Sequence, residues 1–120
     1  YPLLSAVLGF VPAISMGNTV VMVPSDTHPL LATQLYQVIA TSDIPSGVIN
    51  IVTGSKRSLA QTLSEHLNVD GIWHIGDNED SSHIKHLSAG NMKRVWTPTS
   101  NQFFDRNGDP KNQIQNFLII

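Results

Sequence analysis

The side chains able to do chemistry gather just after three short apolar runs. Pro24, Ser25 and Asp26 follow a β-branched run at 19–23; Gly54-Ser55-Lys56-Arg57-Ser58 follows one at 48–52; Gly76-Asp77-Asn78-Glu79-Asp80-Ser81 follows one at 71–75. Runs of this kind closed by Gly or Pro predict buried strands ending in turns, and in an open α/β sheet ligands bind outside the carboxyl ends of the strands. The chain contains no cysteine, which excludes a thiolate nucleophile, a zinc-thiolate site or a disulfide within these residues. His83 and His86 stand three apart on one helical face with His74 nearby in sequence; this is metal-pair spacing, but a solvated face is the reading adopted. Asp77, Glu79 and Asp80 open a helix, where carboxylates favour the dipole, and read as a cap. Asp105-Arg106-Asn107-Gly108-Asp109 carries the acids of a calcium loop, yet its Gly is misplaced and the closing Glu is missing, so it reads as a surface turn. No metal site is expected.

The elements that must position these residues alternate along the chain. Leu3, Leu4, Val7, Leu8, Val11 and Ile14 recur at helical spacing, predicting a helix over 2–16 that Pro2 starts, Pro12 kinks or breaks, and Gly17 stops. A strand over 19–23 follows, then a helix from Pro29 to Thr41, a turn at Ile44-Pro45-Ser46-Gly47, and a strand over 48–52. A helix over 58–66, a strand over 71–75, a helix over 79–88 and a short strand over 92–96 complete the alternation. Trp73 and Trp96 fall in strands and are expected to pack in the core. Strands joined by single helices predict an α/β fold with a Rossmann-like, doubly wound parallel sheet, incomplete at its edges. Residues 1–98 form this segment. Residues 99–120 form a polar tail to which the pattern assigns no element. It carries a turn at Asn107-Gly108-Asp109-Pro110 and an isolated apolar end, Phe117-Leu118-Ile119-Ile120.

Composition narrows the partners. A chain of 120 residues that is 41% hydrophobic is one globular domain with an ordinary core. Seven Lys and Arg against nine Asp and Glu leave a net charge of -2 without a basic stripe, so nucleic acid is not an expected partner. The apolar start is too short for a membrane span and lacks a basic leader, so neither a membrane nor a signal peptide is expected, and the expected compartment is cytoplasmic. The first residue is Tyr rather than Met, as expected of a fragment.

From Tyr1 to about Val95, the order YPLLSAVLGFVPAISMGNTVVMVPSDTHPLL, SDIPSGVINIVTG, VDGIWHIG and GNMKRV resembles the coenzyme-binding domain of aldehyde dehydrogenases. Several separated features agree in order and spacing: Pro-Ala before Gly-Asn-Thr-Val-Val, the Pro-Ser-acid turn, Pro-x-Gly-Val-x-Asn-x-Val-Thr-Gly, and the closing Lys-Arg-Val. The wording GNTVVMVPS, HPLL and SAGN looks most like the degenerate second module of the two-module family sixteen members. The resemblance implies an enzyme that oxidises aldehydes through a Cys thiohemiacetal and hydride transfer to NAD(P). The nucleophile has no counterpart, because there is no Cys. The family's oxyanion-holding Asn lies in Trp-Asn-Tyr/Phe-Pro, and this sequence begins one residue later, at Tyr1-Pro2. Pro98 stands about where the family has its general-base Glu, and proline takes no proton. No catalytic residue carries over.

The coenzyme turns carry over only in degenerate form. Where the family has Lys-Pro-Ser-Glu against the adenosine ribose, this sequence has Val23, Pro24, Ser25 and Asp26: the charge is lost and the acceptor sits on a shorter arm. Gly54 survives at the second strand end, but Lys56 and Ala60 replace further glycines, although Lys56 and Arg57 could meet a phosphate as charges. Gly76 opens the third turn, where carboxylates now face the place of the diphosphate. Absent or feeble NAD(P) binding is therefore expected. The leading expectation is a non-catalytic structural or interaction module that supports a neighbouring aldehyde dehydrogenase module or forms a homo-oligomer. The alternatives are a fragment of an active NAD(P)-dependent aldehyde dehydrogenase, and a module that binds another anionic ligand through Lys56 and Arg57.

Overall fold

The computed structural model of the protein describes residues 2–24, 29–75, 78–97 and 117–119. Helix α1 (Pro2–Ser15) leads into β1 (Val20–Val23), α2 (Pro29–Ala40), β2 (Ile49–Ile51), α3 (Lys56–Glu65), β3 (Gly71–Ile75), α4 (Asn78–Ala89), β4 (Arg94–Trp96) and β5 (Phe117–Ile119). One sheet holds all five strands in the order β2-β1-β5-β3-β4. β1 pairs with β2 in parallel, Val20 opposite Ile49, and β3 with β4 in parallel, Gly71 opposite Arg94. The alternation read from the sequence is therefore the α/β, doubly wound arrangement. Its parallel halves are joined by a fifth strand that the apolar end of the tail supplies. β5 runs antiparallel to both neighbours, with Leu118 opposite Val23 on one side and His74 on the other.

Strand periodicity separates two cores. Val20 and Met22 of β1 pack with Ala6, Phe10 and Ala13 of α1, Leu35 of α2 and Ile49 of β2. Val23, one position on, turns to the other face and joins Ala60 of α3, Ile72 of β3 and Ile84 of α4. Helices α1 and α2 thus cover one face and α3 and α4 the other, as alternating side-chain directions along a strand require. Fully burying an aliphatic side chain such as Ile72 or Ile84 stabilises the fold by about 1.5–3 kcal/mol. Outside these faces, Asn91 donates its amide to the carbonyls of Ser64 (3.2 Å) and Glu65 (3.0 Å), and Lys93 Nζ donates to that of His66. The otherwise orphaned end of α3 is in this way tied to the loop before β4.

Several expectations shift in detail. Pro12 does not break its helix: α1 runs three residues past it, and Pro12 lies on the exposed side, where water can serve the carbonyl it leaves unbonded. The strand expected at 92–96 starts only at Arg94, because Met92 takes a left-handed turn conformation, φ 55°, and is almost wholly exposed. Trp96 is not a core residue. It is 44% exposed and meets Trp73 edge to face, ring centroids 5.2 Å apart and planes at 69°, because β4 is an outer strand of the described sheet.

The stop after α1 has the geometry its sequence predicts. Gly17 N–H donates to Ile14 O at 3.0 Å and Asn18 N–H to Ala13 O at 3.2 Å, the paired bonds of a Schellman motif. Gly17 is left-handed at φ +83°, and a Cβ there would meet nothing within 4 Å. Replacing it therefore carries a conformational cost alone. Gly17→Ala is expected to lower stability by about 1–2 kcal/mol, read as a reduced urea midpoint at unchanged slope.

Candidate functional site

The carboxyl edge of the sheet is where the sequence places its chemistry. Pro24 closes β1 and is buried; Ser25, Asp26, Gly76 and Asp77 lie outside the described residues, as does the Asp105–Asp109 turn. At the second strand end, Gly54 has nearly extended backbone, φ 159°, and a Cβ on it would approach Leu59 Cδ1 to 3.2 Å. Its glycine thus answers to the packing of α3 as well as to any ligand. Lys56 begins α3 and is only 7% exposed, while its neighbour Arg57 is exposed. The two cations expected to meet one phosphate therefore differ in access to it. Ala60, where the resemblance implies glycine, is buried in the core beneath α3.

Beyond β3 the local chemistry is a buried pair. His74 points to the α4 side of the sheet, as Ile72 does, and its Nδ1 lies 3.0 Å from Ser81 Oγ of α4. His83 and His86, farther along α4, are exposed, so the structure does not bring the three histidines together. Glu79 and Asp80 occupy the first turn of α4, the favourable end of the helix dipole for carboxylates. The His74–Ser81 pair belongs to no motif in the sequence. Its signal was a polar residue at an inward strand position seven residues before a serine in the first turns of the next helix.

The switch point of the winding lies between β1 and β3: connections from β1 lead outward to β2, and those from β3 lead the other way to β4. β5 fills that place. Its first residue, Phe117, is opposite Ile75, the last residue of β3, and its last, Ile119, is opposite Trp73 and Met22. At the other edge, where β1 and β3 begin, a cleft of about 470 Å³ is lined by Met16, Asn18, Val21, Asp70, Trp73 and Arg94, among others. No motif marks this cleft. Its walls come from three distant segments, and it exists because β1 and β3 are held apart.

The alternating sheet, the winding of its helices and the glycine-bearing strand ends place the chain in one class: it belongs to the aldehyde dehydrogenase family, whose sequence profile matches residues 1–100. It is 36% identical over 97 residues to the NADP/NAD-dependent aldehyde dehydrogenase PuuC of Escherichia coli, covering 80% of this chain and 20% of that protein. Against the betaine aldehyde dehydrogenase of Bacillus subtilis it is 34% identical over 95 residues, covering 79% and 19%. Among solved structures it is similar to the AldA indole-3-acetaldehyde dehydrogenase of P. syringae in complex with NAD+ and IAA, at 33% identity and a TM-score of 0.78, covering 82% of this chain and 20% of that one. The chain spans about a fifth of the length of these relatives.

The His74–Ser81 contact joins β3 to α4 within a buried layer, where losing one hydrogen-bond partner is costly. Ser81→Ala is expected to destabilise the fold by about 1–3 kcal/mol, measured by urea denaturation, whereas the exposed His83→Ala should change stability by less than about 0.5 kcal/mol.

Proposed function

We propose that this chain is a non-catalytic structural or interaction module built on the coenzyme-binding segment of an aldehyde dehydrogenase, supporting a neighbouring aldehyde dehydrogenase module or a copy of itself. The observation that carries this reading lies at the carboxyl edge of the sheet, outside which a doubly wound fold takes its dinucleotide: Val23, Lys56 and Ala60 there are buried in the protein. Val23, where the resemblance implies a ribose-binding Lys, is wholly buried in the core. Lys56, where it implies glycine, is buried at the start of α3, and Ala60 is packed beneath that helix. These features do not suit a bound NAD(P).

The chemistry of the residues points the same way. These 120 residues hold no Cys to form a thiohemiacetal, and Pro98 stands where the resemblance implies the base. The alternative is that the chain is a piece of a working NAD(P)-dependent aldehyde dehydrogenase; its support is the similarity to relatives named for that activity and to one solved with NAD+. A cytoplasmic location and the division into a coenzyme-binding segment at 1–98 and a tail at 99–120 belong to the same proposal. Among the described residues, no helix is long and apolar enough to cross a membrane.

Titration of the folded chain with NAD+ and NADH, followed by quenching of Trp73 and Trp96, separates the two readings. No saturable binding up to about 1 mM, a standard free energy weaker than about -4 kcal/mol, is the expected result. Micromolar binding would return the enzyme-fragment reading to the front.

A further inference from the structure

We draw no further inference here: the strongest candidate, the cleft of about 470 Å³ walled by Asp70, Trp73 and Arg94 at the starts of β1 and β3, lies along strand edges that β5 pairs only toward their carboxyl ends, and nothing in the structure shows what covers it.

Discussion

The structure depends on the alternation of side chains along the four residues of β1. Val20 and Met22 look toward α1 and α2 while Val23 looks toward α3 and α4, so a single short strand contributes to both cores. A strand buried on both faces cannot afford a polar residue at any of these positions, and Val-Val-Met-Val meets that condition. A slip of one residue would exchange the two faces and mismatch both layers at once. The Schellman stop at Gly17 matters for the same reason, since it ends α1 where the chain must reverse to enter β1 in this register.

Around that strand the family pattern and this chain's own features part company. The glycine-bearing strand ends, the helix starts and the parallel pairings agree with membership of the aldehyde dehydrogenase family. Within that pattern the chain buries Lys56 at the start of α3, joins His74 and Ser81 across the β3–α4 layer, and sets a strand from beyond the family-matched region into the centre of the sheet. Each of these ties one layer or strand of the fold to another.

The elements most legible in the sequence were those with a local cause. Gly17, Pro29, the β-branched run after Thr19 and the acids at the head of α4 each act within a few residues, and their elements appear where expected. Boundaries set by local turns were less legible: Met92 leaves the expected strand because its backbone turns left-handed. Pro12 remains within a helix because its exposed side tolerates the missing bond. Of the residues singled out at the strand ends, Pro24 and Gly54 stand at the carboxyl edge as expected, and Lys56 and Arg57 differ in exposure although adjacent in sequence, since successive positions on a helix face different ways.

By itself the sequence determined the alternation of helices and strands, the two-sided burial of β1, the family, and the absence of a thiolate, because these follow from residue type and short-range periodicity. Tertiary structure alone decided where Phe117–Ile119 would pair, that His74 would meet Ser81, that Trp96 would stand on an outer strand, and that a cleft would open between the starts of β1 and β3. The physical reason is range. An apolar tripeptide at the end of a polar tail states that it will be buried, but the partner edges it finds belong to strands far away in sequence, and nothing in its own residues names them.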